Sequence, residues 1–125
     1  MKGARSIGAT LFAAAVLAVA VPAGAAPHAA FKHYVACGLK ASEPPAHLCA
    51  RGAHKGAFFR SNDADVFYKV CVKFPNGQNL CAQAQRAAKG KLYVNRITSN
   101  IPGRHKVTWF VKGKRVGVYF FRVKT

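Results

Sequence analysis

Val66-Phe67-Tyr68-Lys69-Val70-Cys71-Val72-Lys73-Phe74, then Pro75-Asn76-Gly77, then Gln78-Asn79-Leu80-Cys81: residues 66–81 decide the fold. The first nine alternate with period two. Val66, Tyr68, Val70, Val72 and Phe74 make an apolar face, and Phe67, Lys69, Cys71 and Lys73 make a mostly polar one. That is the pattern of a strand in an antiparallel sheet with one face buried. Pro75-Asn76-Gly77 suits a three-residue hairpin loop, a type I turn closed by Gly77 in the left-handed region. Such a loop pairs Phe74 with Gln78, Val72 with Leu80 and Cys71 with Cys81. Val72 and Leu80 then meet on the core face, and two cysteines meet on the other. A two-residue Asn-Gly loop would set Cys71 against Ala82 instead, so loop chemistry and disulfide agree on the longer version.

Downstream, short β-branched and aromatic runs alternate with Asn, Gly and Pro. Residues 92–99 read as a strand ended by Asn100, Pro102 and Gly103. His105 to Val111 alternates again, with Val107, Trp109 and Val111 on one side. Lys112-Gly113 turns the chain, and a two-residue loop there pairs Trp109 with Val116. The last strand, Arg115 to Val123, is apolar on both faces. A bulge at Gly117 sends Tyr119, Phe121 and Val123 inward, the favoured reading of a glycine inside a strand. Without it, Val116, Val118 and Phe120 face the core. Residues 82–89 are Ala- and Gln-rich and could make a helical turn by propensity, but they directly continue the Cys81 strand. No internal repeat is present.

Upstream, residues 26–56 read as an irregular segment. Ser42-Glu43-Pro44-Pro45 is a loop signal, flanked by Cys37 and Cys49, so a second disulfide between them closes an N-terminal loop. Residues 1–25 have the layout of a secretory signal peptide: Lys2 and Arg5, an apolar run from Ile7 to Val21, Pro22, then Ala23-Gly24-Ala25 as a cleavage site. Paired cysteines fit the oxidising compartment this implies. The expected product is an extracellular monomer, free or associated with the cell envelope, with no membrane span after cleavage. Its β-sandwich core is residues 57–125.

The stretch Gly103-Arg-His-Lys-Val-Thr-Trp109-Phe-Val111-Lys-Gly113-Lys114-Arg-Val116-Gly117-Val-Tyr119-Phe-Phe121-Arg-Val123 resembles the closing hairpin of bacterial extracellular immunoglobulin-like domains. In those, a glycine precedes a strand with a central aromatic, and a Gly-Lys turn leads to a last strand of the type V-G-x-aromatic-x-F. The whole chain is similar to small, secreted, uncharacterised bacterial proteins with four cysteines before such an ending. The resemblance implies an all-β, antiparallel, immunoglobulin-like β-sandwich behind a disulfide-closed N-terminal loop. The antibody-type bridge joins the two sheets through the core, whereas Cys71–Cys81 staples neighbouring strands. The resemblance implies no activity, since such sandwiches host many functions.

Charge narrows the partners. The chain has 20 Lys and Arg against three acids, a net charge of +17; without Lys2 and Arg5 it is +15. Such a surface favours polyanions: acidic polysaccharide, wall polymer, or nucleic acid without sequence preference. Lys69 and Lys73 flank Cys71 on the outward face of the stapled hairpin. Lys89 and Lys91 follow the paired strand and extend the surface, while Phe67 and Phe110 add aromatic area beside cations.

Catalysis and metal binding find little support. His47-Leu48-Cys49 lacks zinc-site spacing, and Asn62, Asp63 and Asp65 read as a turn before a strand rather than a calcium loop. Ser42, Ser61 and Ser99 lie in no nucleophile motif, and Glu43, Asp63 and Asp65 offer no spaced pair for glycoside hydrolysis. A ribonuclease using His33, His54 and His105 is the one enzymatic alternative. The expectation is a non-catalytic, cofactor-free binding module for an anionic polymer or surface. A cationic effector acting on a foreign protein or membrane is the alternative.

Overall fold

The computed structural model describes residues 28–125, so the leader read at residues 1–25 lies outside the described residues. Nine strands follow in order: β1 (Phe31–Ala36), β2 (Leu48–Cys49), β3 (Lys55–Ser61), β4 (Val66–Lys73), β5 (Asn79–Cys81), β6 (Gln85–Ala87), β7 (Leu92–Ile97), β8 (Gly103–Val111) and β9 (Lys114–Val123). They form a three-stranded sheet, β1-β3-β7, and a six-stranded sheet, β2-β9-β8-β4-β5 with β6 also on β4. All pairings are antiparallel except β2 with β9. Among the described residues there is no helix, and hence none long and apolar enough to cross a membrane.

The 66–81 hairpin has the register its loop chemistry requires. Cys71 faces Cys81, Val72 faces Leu80, and Lys73 faces Asn79. The Phe74 amide donates to the Gln78 carbonyl at 2.8 Å and Gly77 donates to Phe74 at 2.9 Å, with Gly77 at φ 90°. Since 74–78 is a hydrogen-bonded pair, 72–80 is another, and 71–81 falls on a non-hydrogen-bonded pair. There opposing strands approach most closely, and the two Cα atoms are 3.9 Å apart. Cys37–Cys49 forms the second disulfide, and no cysteine is free.

The core lies between the sheets. Val35 and Phe59 of the smaller sheet pack against Tyr68, Val70, Val107, Trp109, Phe121 and Val123 of the larger. Phe59 stacks on Tyr68 with ring centroids 4.3 Å apart. Each such side chain contributes about 1.5–3 kcal/mol of transfer free energy. The buried Tyr68 hydroxyl donates to Asn95 Oδ1 at 2.7 Å, and Asn95 Nδ2 donates to Gln85 Oε1 at 2.9 Å. Burial, reinforced by Tyr93, pushes the Tyr68 hydroxyl pKa up, so it remains a neutral donor.

Four sequence expectations change. Residues 26–56 are not simply irregular: Phe31–Ala36 forms a full partner of β3, and β3 itself begins at Lys55. Alternation there is masked because His33 takes an inward position against Trp109, while Tyr34 and Ala36 on the opposite face are also buried. The chain then crosses between sheets under the Cys37–Cys49 bridge, with Ala46 donating to Val35 at 2.9 Å before β2 joins β9. In the last hairpin, Trp109 faces Gly117, not Val116, because the register shifts between Trp109 and Phe110. That bulge turns Phe121 and Val123 inward, at 1% and 2% exposure. The turn itself has Lys112 at φ 53° and Gly113 at φ 77°, the two left-handed residues of a type I′ hairpin. The 82–89 stretch re-forms a strand at β6 on the start of β4. Leu80 faces inward beside Val72 yet is 52% exposed, because β5 extends beyond the narrower sheet opposite.

Candidate functional site

Directly opposed residues share a face, so the ladders lay out the outer surface of the larger sheet row by row. Lys73, Lys106 and Phe120 form one row, and Cys71, Thr108 and Val118 the next. Lys69, Phe110 and Arg115 follow, with Arg104–Arg122 at one end and Phe67–Arg86 at the other. Strands stand about 4.7–4.9 Å apart, and same-face residues recur every ~6.6–6.8 Å along each. Seven cations and three aromatic rings therefore occupy one rigid, stapled surface. The Asp65 carboxylate sits at its margin, held by Arg86 and by the Lys89 amide.

Cations lie over rings here. Lys69 Nζ is 5.8 Å from the Phe110 centroid, and the Arg104 guanidinium is 4.0 Å from that of Phe120. Phe67 is 62% exposed. Between Phe67 and Phe110 lies a shallow hollow of about 420 Å³, with Lys69, Ala84 and Lys112 on its walls. A flat or ring-bearing unit can sit between the rings while its anionic groups reach lysines.

Of the residues expected from sequence, the structure brings Lys69, Lys73, Phe67 and Phe110 together. Lys89 and Lys91 do not join them. They lie in the turn after the last rung, Ala87–Val66, where the chain leaves the sheet, at the opposite end of β4 from Lys73. Sequence reasoning missed Arg86, Arg104, Lys106, Arg115, Phe120 and Arg122. Alternation in 103–111 puts Arg104, Lys106 and Phe110 on one face, but only the non-local pairing of β4 with β8 aligns them with Lys69 and Lys73.

The three histidines do not converge on an open site. His33 packs its ring 5.1 Å from Trp109. His105 is fully buried; its Nδ1–H donates to the Gly103 carbonyl at 3.1 Å, and Ser99 Oγ donates to Nε2 at 2.7 Å. Burial lowers the pKa of both rings, and for His105 the nearby Lys55 ammonium adds to it. Lys55 itself is 1% exposed, its Nζ donating to Ala53 O at 2.6 Å and Asn100 Oδ1 at 3.0 Å. His54 is exposed, before β3. His105 is thus a fixed core group that a phosphate in solvent does not reach, whereas His33 is half-buried against Trp109.

Asn62, Asp63 and Asp65 tie the turn to neighbouring segments: Asn62 Nδ2 donates to Ala29 O at 3.0 Å, Asp63 pairs with His28 at 2.6 Å, and Asp65 accepts from Arg86 and the Lys89 amide. Among the described residues no cluster of His, Cys, Asp and Glu could hold a metal ion.

No protein-family model matches the chain, and neither does any curated protein. Among solved structures the chain is similar to an immunoglobulin-like protein from Pseudomonas aeruginosa. The identity is 12% and the TM-score 0.50, over 80% of this chain and 94% of that one. It is also similar to the alkylpurine DNA glycosylase AlkC of Pseudomonas fluorescens, bound to DNA containing an abasic site analogue. That match has 18% identity and a TM-score of 0.40, covers 78% of this chain and spans only 31% of the glycosylase. The first likeness, together with the sheet order, makes the fold an immunoglobulin-like β-sandwich. Its two disulfides fit an oxidising environment.

Proposed function

We propose that this is a secreted, non-catalytic binding module, and that the outer face of its larger sheet holds an anionic polymer of the cell surface or its surroundings. The observation that carries the reading is the direct opposition of like charges, Lys73 to Lys106 and Arg104 to Arg122. Such pairs destabilise a sheet, so folding alone gives no reason to collect them. A polyanion laid across the rows would neutralise them and release its counterions. Rings beside the cations favour a polymer whose units have flat or apolar faces, such as an acidic polysaccharide or a wall polymer.

The test is binding of the mature, oxidised protein to wall polymer, acidic polysaccharide, RNA and anionic vesicles across a salt series. Retention of one polysaccharide or wall polymer at physiological salt, while polyanions of similar charge density dissociate, supports a shaped site. Lys69→Glu with Lys73→Glu should then weaken binding at least tenfold more than Lys32→Glu with Lys40→Glu. Equal losses from both pairs, or uniform weak binding that fades with salt, overturn the proposal.

A further inference from the structure

The two sheets differ in width, and the difference leaves one flank of the core open. β7 ends the smaller sheet and β5 ends the larger one. Tyr68 of β4 meets Phe59 of β3 and Tyr93 of β7, so the smaller sheet stops over β4 and, among the described residues, no strand stands opposite β5. A cleft of about 230 Å³ opens there, walled by Val70, Val72, Phe74, Leu80 and Ile97. Leu80 on its rim is 52% exposed. That volume is below the ~300–1,000 Å³ of small-molecule pockets and suits individual aliphatic side chains.

Among the described residues, the edge beside this cleft has backbone groups without a strand partner. The Asn62 amide donates to Ala30 at 2.9 Å and the Gly90 amide to Ser61 at 2.7 Å. Even-numbered residues of β3 therefore bond β1, and odd-numbered ones bond β7. By the β3–β7 register, Tyr93, Asn95 and Ile97 turn their amides toward β3. Leu92, Val94 and Arg96 turn theirs outward. Edge strands are commonly protected by proline, a bulge or an inward-pointing charge. β7 has none of these: its one charged residue, Arg96, is an exposed cation on the cleft rim. No acidic residue lines the cleft.

We propose that this flank binds an extended acidic peptide, which adds to β7 as a fourth strand of the smaller sheet. Backbone bonds to Leu92, Val94 and Arg96 supply the pairing, and alternate apolar side chains enter the cleft over Leu80 and Phe74. Acidic residues on the peptide's outer positions meet Arg96 and the cationic chain as a whole. Charge argues against a second copy as occupant, since two molecules with this excess of Lys and Arg repel.

Selection of displayed eight-residue random peptides on the mature, oxidised protein, followed by hydrogen exchange with the best binder, tests this. Expected are sequences with apolar residues at alternate positions and acids between them. Binding should slow exchange at the amides of Leu92, Val94 and Arg96, and Arg96→Glu should weaken it tenfold or more. Leu80→Glu, a change at an exposed position, should do the same without unfolding the protein. No enrichment over a blank surface overturns the proposal, as does binding that leaves those three amides unprotected. So does self-association that protects the same amides without peptide, which would make a second copy the occupant.

Discussion

His33 and Gly117 meet at the bulge of β9, and there one methyl group decides the packing. A Cβ at position 117 would lie 2.6 Å from the His33 ring, a ring already lodged against Trp109. Gly117→Ala should therefore cost about 1–3 kcal/mol of stability, measured by urea unfolding. Combining it with His33→Ala should recover part of that loss, giving strong non-additivity. The imidazoles also set the acid response. His33 and His105 have pKa values below their ordinary 6.5 because burial penalises the cation. Between the folded and unfolded pKa values the unfolded chain binds more protons, so stability is full above 6.5 and declines as pH falls through that window. Urea midpoints taken from about pH 7.5 to about pH 5 should fall, and His105→Gln should flatten the decline. An unchanged slope in that variant would place the acid response elsewhere.

The β4–β5 hairpin shows how much of an element can be legible in sequence. Its period, its Pro-Asn-Gly loop and its cysteine spacing are all local, and all three specify one register. Replacing Cys71 and Cys81 by serine should cost about 2–3 kcal/mol in the chain-entropy description. Hydrogen exchange should show the loss in β5 and β6, while β8 and β9 keep their protection. Less could be read where the information is non-local. β1 was hidden because an inward histidine and a buried outer face blur its alternation. β2 is two residues long and exists only through β9: the Cys49 carbonyl accepts from Lys124 at 3.0 Å, and His47 just before the strand accepts from Arg122 at 2.8 Å. The candidate site was half legible for the same reason. Lys69 and Lys73 follow from one strand's pattern, whereas Lys106 and Arg104 join them only through a pairing across more than thirty residues. Lys89 and Lys91 were close in sequence but leave the sheet at its end.

At the scale of the molecule, excess charge and an open flank both set stability apart from function. Self-repulsion within a chain of +17, +15 without its first two cations, opposes compaction. Raising ionic strength from about 0.01 M to about 0.15 M shortens the Debye length from ~30 to ~8 Å. If that relieves about 1 kcal/mol, Tm should rise by about 4–8 °C; a fall in a thermal scan would show that attraction dominates the surface field. A narrow sheet over a wide one likewise leaves apolar side chains partly exposed that a symmetric sandwich would cover. The chain has a single tryptophan, and Trp109 is fully buried at the junction of the sheets. When it is excited at wavelengths that tyrosine does not absorb, the light emission therefore has one source and one environment. A blue-shifted band reports that the sheets are closed on each other, and a red shift that water has entered between them. Because the His33 ring lies 5.1 Å away, protonation of that imidazole should dim the band before any shift in colour, so the protein carries its own optical readout of proton entry and of unfolding.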